Sequence, residues 1–591
     1  MKRLNFFFLS VLIVFSNCTS EQGKTVQIQD GIVKGETGKQ IDLYLTRITP
    51  FGFSGTALVA KDGEILLNKG YGMAIESEGI PNSADTVLST GSITKQFTAA
   101  AILKLEMQGK LRTEDFITKF FDNVPKDKSD ITIHSLLTHT AGMIGYTGNE
   151  VSGDFEKTMR DETIQMALDA PLLFEPGEDM RYSNAGYSVL AAIIEKASGQ
   201  SYEEYLRENL FKPAGMESTG YILPDWGKKI VAHYYEGETD FGTFLEQPYP
   251  SWHLLGNGGI LSTTSDMYRW HLALEGDEIL SSSAKTKLYT PFLNNYAYGW
   301  DVTETDQGTL IQHNGGGSFT DSADYLRFID AGVVISMFCN REYEHLPLSE
   351  YLTPKIARIV FGGAVDMPPE LVSLNAQECS KYIGTYTMSN NSSFVIFLDA
   401  GDLKIRPVGQ ESINAFTYSA SRSSQDYEAQ NRISLEVVEA LFAMNFNPLV
   451  QASRDEAQII QLIKMLERRI PEIKKNIGKI QDIEVKGTVP KVIGSYNGGS
   501  YDSTVVHIIG HDANLVLQFI WEEGNLIDIS RIRTAIPLEI SIRPISEKEF
   551  CGYHLFMAKN SFVSFDTNAN GQVTRMKIKK DGEVFTALKT K

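Results

Sequence analysis

Apolar positions in the first half of the chain alternate between strand-like runs and helix-like periodicity. Two apolar runs flank residues 61–63, a Lys-Asp-Gly turn typical of a β-hairpin. The stretches after Ser92 and before Gly199 carry apolar residues at helical spacing, and Gly199 stands where a helix should end. A further apolar run of strand length covers 332–340. This order predicts an α+β fold, with an antiparallel sheet flanked by helices and a helical lobe.

The pattern of apolar residues changes after about residue 365. Short strand-like runs separated by Gly, Asn and Asp occupy about 370–425 and return at about 537–591. The stretch between them, 427–536, has helical periodicity first and strand-like runs later. We therefore expect a C-terminal β-rich domain interrupted by an inserted α+β domain. A chain of 591 residues is also too long for a single hydrophobic core.

The N-terminus has the features of an export signal. Two basic residues precede an apolar run, Leu4 to Phe15, that is too short to span a bilayer by itself. Cys18 follows, at the place where bacterial lipoproteins carry the cysteine that is acylated after cleavage. We expect a signal peptide over 1–18, a linker over 19–39, and a lipid-anchored protein in the periplasm or on the outer surface. The alternative is a plain secreted protein with an incidental cysteine.

Charge and cysteine content exclude several classes of partner and cofactor. The formal net charge of −19 disfavours nucleic acid and anionic lipid headgroups. The cysteines beyond the N-terminal segment are Cys339, Cys379 and Cys551, and this wide spacing indicates neither a disulfide framework nor a thiolate metal site. His134 and His139 lie outside any H-E-x-x-H motif, and we expect them to hold a loop beside a cleft. We expect no metal and no other cofactor.

Three short motifs carry the candidate chemistry. Ser92 and Lys95 stand three residues apart, where a turn-rich segment runs into a helical pattern, so they should be neighbours on one helix face. Tyr-x-Asn at 182–184 and His-x-Gly at 313–315 each occur once in the chain. A second S-x-x-K, at 282–285, has nothing chemical around it and is interpreted as a helix start.

These residue types fit together as an acyl-transfer site. A serine hydroxyl needs a neighbouring base, and Lys95 can be that base for Ser92 only if its pKa is depressed. Tyr182 can act as general acid or, as phenolate, as the base itself. Asn184 can hold Lys95 and a substrate amide by hydrogen bonds. The backbone N–H groups of Ser92 and Gly316 can stabilise an oxyanion, by about 3–4 kcal/mol for each donor.

Six segments resemble the serine β-lactamase-related family, which includes class C β-lactamases, D-alanyl-D-alanine carboxypeptidases and esterases of the same fold: STGSITKQFTAAAILKLEMQGKL, ITIHSLLTHTAGM, FEPGEDMRYSNAGYSVLAAIIEKASGQSYEEYL, LFKPAGMESTG, GNGGILSTTSDMYRW and HNGGG. The resemblance covers about 40–362. It implies a serine β-lactamase/transpeptidase-like fold in which Ser92 is acylated and Lys95 and Tyr182 form the acid/base pair. The C-terminal β regions resemble the small lipocalin-like domains that follow such hydrolases.

The resemblance also implies which residues face the substrate. Asn184, His313 and Gly315 are expected to bind it, with His313 where the family's third motif often has a lysine. A histidine there removes a fixed positive charge that would pair with a substrate carboxylate.

The sequence therefore predicts an exported serine hydrolase that forms an acyl-enzyme on Ser92. Its expected substrates are D-amino-acid peptides or amides, esters and, weakly, β-lactams. The alternative is a non-catalytic cell-surface protein that binds peptidoglycan or a small ligand. The sequence leaves the oligomeric state open.

Overall fold

The computed structural model describes residues 28–147, 153–237, 239–317, 321–342, 348–399, 402–416, 424–453, 456–493, 500–532, 539–555, 559–580 and 582–590. The expected signal peptide, with Cys18, lies outside the described residues. Among the helices in the described ranges, none is long and apolar enough to cross a membrane.

The N-terminal region is built on an antiparallel sheet. The strands of this region are β1 (Ile32–Val33), β2 (Gly55–Lys61), β3 (Glu64–Tyr71), β4 (Met73–Ile75), β5 (Ile80–Pro81), β6 (Leu88–Ser89), β7 (Tyr235–Glu236), β8 (Thr239–Asp240), β9 (Leu261–Ser262), β10 (Asp301–Thr305), β11 (Gly308–Gly316), β12 (Ser322–Phe328), β13 (Val333–Cys339) and β14 (Arg341–Glu342). The central sheet has the order β1-β3-β2-β13-β12-β11-β10, so the first strand already lies within the segment expected to be a linker.

The predicted hairpin is the β2–β3 pair. Lys61 pairs with Glu64 across a two-residue turn. Asp62 and Gly63 in that turn have φ of 52° and 78°. Positive φ at both central residues matches the right-handed twist of the flanking strands, which is why Asp-Gly is favoured there.

Helices cover both faces of the central sheet. They are α1 (Gly35–Ile48), α2 (Thr94–Met107), α3 (Ile133–Leu137), α4 (Arg160–Asp169), α5 (Asn184–Ser198), α6 (Tyr202–Leu206), α7 (Thr264–Glu275), α8 (Ser282–Tyr289) and α9 (Leu348–Val360). Helices α1 and α9 pack on one face of the sheet in one apolar cluster, and α2, α5 and α7 belong to the cluster on the other face. Helix α2 is buried from Thr94 to Leu103, which places it at the centre of this second layer.

The C-terminal half contains a closed barrel and an insert. Its elements are α10 (Ala376–Ser380), β15 (Gly384–Thr387), β16 (Ser393–Asp399), β17 (Asp402–Val408), α11 (Gln410–Phe416), α12 (Ser424–Phe442), α13 (Asn447–Ala452), α14 (Glu456–Ile477), β18 (Ile480–Ile493), β19 (Ser500–Gly510), β20 (Asn514–Glu522), β21 (Asn525–Ile532), β22 (Ile540–Pro544), β23 (Glu549–His554), β24 (Lys559–Thr567), β25 (Val573–Lys580) and β26 (Glu583–Lys589). The barrel runs β15-β16-β17-β22-β23-β24-β25-β26, and the insert has its own β18-β19-β20-β21 sheet. The predicted fold class is confirmed.

The barrel packs against the sheet face that α1 and α9 cover. Cys551, Tyr553 and Leu555 from the barrel share a buried cluster with these two helices. Tyr553 Oη lies 3.3 Å from Tyr44 Oη of α1 and donates to Asp366 O at 3.0 Å. The barrel is therefore on the opposite side of the sheet from α2.

Candidate active site

Ser92 stands at the entrance to the buried helix α2. A 3₁₀ turn, Gly91–Ile93, runs directly into the helix, which begins at Thr94. Lys95 follows one turn later and is fully buried. The distance from Lys95 Nζ to Ser92 Oγ is 3.2 Å, so the two side chains are neighbours as their spacing predicts.

Lys95 has two further hydrogen-bond partners, and both are carbonyl oxygens. Its Nζ lies 2.6 Å from Asn184 Oδ1 and 2.6 Å from the backbone oxygen of Asn257. Burial lowers the pKa of Lys95 well below its ordinary value, although Asp154 acts in the opposite direction. A neutral amine has two N–H groups and one lone pair. When the amine is neutral, the two carbonyl oxygens take its N–H groups, because they only accept, and the lone pair is left for the hydroxyl of Ser92.

The two residues of the second motif flank a helix cap. Ser183 is the N-cap of α5 and accepts a hydrogen bond from Gly186 N at 2.9 Å, a favourable way to begin a helix. Tyr182 precedes the cap and Asn184 follows it, so both reach Lys95. The Tyr182 ring centroid lies 4.6 Å from Lys95 Nζ, and the side chain is 37% exposed.

His139 supports Tyr182 from behind. Its ring lies 4.3 Å from the Tyr182 ring, centroid to centroid, and its Nδ1 accepts from Ser183 N at 3.0 Å. Burial, with Lys95 nearby, lowers the pKa of His139 well below its ordinary value, which agrees with an unprotonated Nδ1. The predicted role of His139, holding a loop beside the cleft, is confirmed. His134 lies elsewhere, with Nδ1 2.7 Å from Tyr298 Oη.

Glycines bring the end of β11 against the turn that carries Ser92. A Cβ on Gly315 would lie 2.7 Å from Ser92 N, and one on Gly91 would lie 2.5 Å from Gly316 N. Neither contact is compatible with a side chain, and Gly91 also has φ of 49°. The two backbones are therefore in contact, and the amides of Ser92 and Gly316 belong to the same wall of the cavity beside Ser92.

Two residues of the third motif, Gly315 and His313, are buried, and their expected binding of substrate stays a prediction. Gly315 is buried against the Ser92 turn, and Gly316 and Gly317 line the cavity instead. His313 is 2% exposed and does not line the cavity. The glycine is needed for close backbone packing, and the histidine points into the layer of aromatic rings behind the cavity.

Both ring nitrogens of His313 are engaged within the protein. Nδ1 lies 2.5 Å from the backbone oxygen of Asn314, and Nε2 lies 3.0 Å from Tyr296 Oη. Since a carbonyl only accepts, the proton resides on Nδ1 and Nε2 accepts from Tyr296. Burial and the neighbouring Lys95 lower the pKa of His313 to about 3. His313 is therefore a neutral support for Tyr296.

The cavity beside Ser92 contains residues that the sequence motifs did not reveal. Asn184 and Asn257 line it together with Ser92 and the backbone of Gly316. Its other walls are aromatic, apolar and acidic side chains: Tyr146, Phe244, Leu254, Asp154 and Asp321. Of the lining residues that were not predicted, Asn257 alone carried a sequence signal, since it lies in the glycine-rich GNGG segment. The others come from separate loops, where no spacing marks them.

Two further sequence interpretations can be placed. Ser282 is the first residue of α8, and Lys285 lies 3.0 Å from Asp277, so the second S-x-x-K is a helix start at the surface. In the part of the chain that the structure describes, no group of three or more His, Cys, Asp or Glu side chains is arranged to hold a metal ion.

The fold and this site define a class of protein. Residues 52–353 match the family model described as Beta-lactamase, and the chain belongs to that family, whose members are serine hydrolases that act on small-molecule or peptide substrates.

Relatives and a solved structure agree with this family. Penicillin-binding protein 4* of Bacillus subtilis (strain 168) is 28% identical over 403 residues, which are 63% of this chain and 87% of that protein. The putative penicillin-binding protein PbpX of the same organism is 34% identical over 275 residues, which are 46% of this chain and 65% of that protein. The octameric penicillin-binding protein homologue from Pyrococcus abyssi shares the fold, with a TM-score of 0.52 and 21% identity over 84% of this chain and 99% of that chain.

Proposed function

We propose that this protein is an exported serine hydrolase that forms an acyl-enzyme on Ser92. The observation that carries the proposal is the environment of Lys95. Two carbonyl oxygens take its N–H groups and burial favours its neutral form, so its lone pair is directed to the Ser92 hydroxyl. A serine activated in this way is a nucleophile.

The reaction follows from these positions. Ser92 Oγ attacks the substrate carbonyl carbon while its proton passes to Lys95 Nζ, and the oxyanion accepts from the amides of Ser92 and Gly316. Collapse of this intermediate expels the amine or alcohol, which takes the proton from Lys95 through the neighbouring Tyr182. Water then attacks the acyl-enzyme with Lys95 again as base, releasing the acid and restoring Ser92.

Substrate choice and location belong to the same proposal. His313 is buried and neutral, so the third motif offers no positive charge to the carboxylate of a β-lactam or a peptide C-terminus. We therefore propose D-amino-acid amides or peptides and esters as substrates, with β-lactams turned over slowly. Export rests on the basic and apolar N-terminal segment of the sequence, and membrane anchoring rests on Cys18 within it.

Covalent labelling tests the proposed nucleophile. A fluorophosphonate should add once to the wild type, as measured by intact mass, and should not add to Ser92→Ala. Ser282→Ala is the matched control, because Ser282 also stands three residues before a lysine but lies at the surface, and this variant should label normally. Labelling of Ser92→Ala, or no labelling of the wild type, would favour a non-catalytic binding protein.

A further inference from the structure

Helix α3 ends in a motif that usually contains a glycine, but this chain has a histidine there. His139 follows the last turn of α3, and its φ of 59° lies in the left-handed region. Its N–H donates to Leu136 O at 3.3 Å, and Thr140 N donates to Ser135 O at 2.8 Å. These two bonds form a Schellman motif, in which glycine is the residue free of strain. The chain therefore keeps a side chain at a position that does not favour one.

His139 binds the backbone on both sides of Tyr182. Its carbonyl oxygen accepts from Arg181 N at 2.9 Å, and its Nδ1 accepts from Ser183 N at 3.0 Å. The first contact uses the backbone, which any residue has, whereas the second contact needs the side chain. The N–H groups of the residues before and after Tyr182 are thus both bound to one residue.

The imidazole of His139 is enclosed by aromatic rings. Its centroid lies 4.3 Å from that of Tyr182, 4.7 Å from that of Tyr296 and 5.0 Å from that of Tyr187. The side chain is 1% exposed. Because Nδ1 accepts, the proton of the neutral ring is on Nε2, and no described residue accepts a hydrogen bond from it. A second proton on Nδ1 would remove the acceptor for Ser183 N.

We infer that His139 is a positioning residue for Tyr182, and that it acts by accepting the Ser183 amide with an unprotonated Nδ1. This inference rests on the proposed acyl-enzyme on Ser92, in which the proton reaches the leaving group through Tyr182. Lys95 has its own carbonyl partners, so the nucleophile and its base remain in place when the contact is lost. The defect is then confined to leaving groups that need a proton.

Two esters with the same acyl group and different leaving groups test this role. p-Nitrophenolate leaves as a stable anion, whereas the ethoxide of an ethyl ester must be protonated as it leaves. His139→Gly keeps the left-handed backbone but removes the acceptor. We expect its kcat/KM to fall by less than about threefold on p-nitrophenyl butyrate and by about 10²-fold on ethyl butyrate, as for loss of a general acid. Both values report the steps up to acylation, so deacylation does not enter the comparison.

A double variant separates positioning from a general weakening of the site. Tyr182→Phe removes the acid itself and should show the same dependence on the leaving group. Because His139 acts through Tyr182, adding His139→Gly to Tyr182→Phe should lower kcat/KM on ethyl butyrate by less than about threefold further.

A conservative variant and a control assign the effect to the contact with the Ser183 amide. His139→Asn tolerates the left-handed backbone and keeps a side-chain acceptor, so it should recover most of the activity on ethyl butyrate. His134→Asn, at a histidine whose ring contacts Tyr298 instead, should leave the ratio of the two kcat/KM values unchanged. Fluorophosphonate labelling of Ser92 needs no proton on its leaving group, so labelling at the wild-type rate shows that each variant is folded.

The protonation of His139 can also be measured in the wild type, where no variant has to fold. Burial lowers its pKa, and the neighbouring Lys95 and His313 lower it further. By NMR spectroscopy of isotope-labelled histidine, the ring should keep one proton, on Nε2, as pH falls through the ordinary histidine pKa of about 6.5. Its signals are those that His139→Asn lacks.

The possible failures separate this inference from the proposed function. Labelling of Ser92 in the wild type, together with the same change on both esters in His139→Gly or no change on either, would overturn the positioning role alone. A large further loss in the double variant, no recovery in His139→Asn, or a second proton on the ring near pH 6.5 would also overturn it. Absence of both labelling and turnover in the wild type would overturn the proposed function and this inference with it.

Discussion

At the scale of single residues, the chemistry depends on how Lys95 is buried. A lysine at the surface keeps its proton near neutral pH, whereas Lys95 has no exposed surface and its pKa is lowered well below the ordinary value. Its two short contacts, to Asn184 Oδ1 and Asn257 O, orient the amine as well as bury it. Asn257, in the glycine-rich GNGG segment, thus orients the base through its backbone oxygen as Asn184 does through its side chain.

Replacing the base should abolish turnover across the pH range. Lys95→Arg keeps a positive charge that cannot be removed, so we expect kcat/KM for a p-nitrophenyl ester to fall by about 10²–10⁴. In the wild type, kcat/KM should rise with pH through an apparent pKa well below 10.5, since the lysine must be neutral to act. Lys285→Arg is the control from the second S-x-x-K. Retention of most of the activity in Lys95→Arg would contradict the assignment of the base.

At the scale of elements, local patterns predicted helices and strands better than they predicted the site. The β2–β3 hairpin, the helix after Ser92 and the helix ending at Gly199 follow from spacing and turn residues within each segment. The contact between Gly315 and the Ser92 turn joins segments more than 200 residues apart, and these were brought together by the chemistry of the residue types and by the family resemblance, not by spacing. Neither local spacing nor the family resemblance pointed to Asp154 and Asp321, because isolated acids in loops have no periodicity.

The stability of the protein should depend on pH, because buried carboxyl groups lie on the face of β12 that is turned away from Ser92. Asp324 is buried there and accepts a hydrogen bond from Thr353 Oγ1 of α9. Burial raises the pKa of Asp324 to about 8, and burial also raises the pKa of Glu350 to about 7 and that of Asp301 to about 6; all three carboxyls line one cavity. Between about pH 4 and 8 the folded state therefore holds protons that the unfolded state has lost, so the free energy of unfolding falls as pH rises.

Asp324→Asn should remove part of this pH dependence. We expect the variant to unfold at a higher temperature than the wild type, and by a larger margin at pH 8 than at pH 5, because the amide cannot ionise. Scanning calorimetry at the two pH values measures the difference, with Asp306→Asn as an exposed control. A variant that is less stable than the wild type at pH 8 would show that Asp324 is stabilising as an anion.

At the scale of the whole molecule, the chain closes a barrel from two distant segments. Strand β17 pairs with β22 across the whole α+β insert, so the barrel forms only when residues 384–408 meet residues 540–589. The order of strand-like and helical segments led us to expect an α+β insert within a β-rich region, but not the closure of a barrel. The docking of Tyr553 on α1 was not predictable, since a tyrosine in a strand has the same pattern whether it faces solvent or another domain.

The location of the molecule is tested at its N-terminus. If Cys18 is acylated, the native protein should fractionate with membranes and require detergent for release, and Cys18→Ser should move it to the soluble fraction of the same cells. Cys379→Ser, at a buried cysteine of the C-terminal half, is the control for loss of a thiol and should remain with the membranes. Recovery of the wild type in the soluble fraction would contradict the lipid anchor.

The central claim is that catalysis passes through an acyl group on Ser92, and intact-mass spectrometry during turnover tests it most directly. A p-nitrophenyl ester mixed with the wild type and quenched at short times should give one adduct with the mass of the acyl group, located on Ser92 by peptide mapping. The adduct should disappear at a rate equal to or faster than kcat. An adduct on another residue, or turnover that persists in Ser92→Ala, would contradict the account.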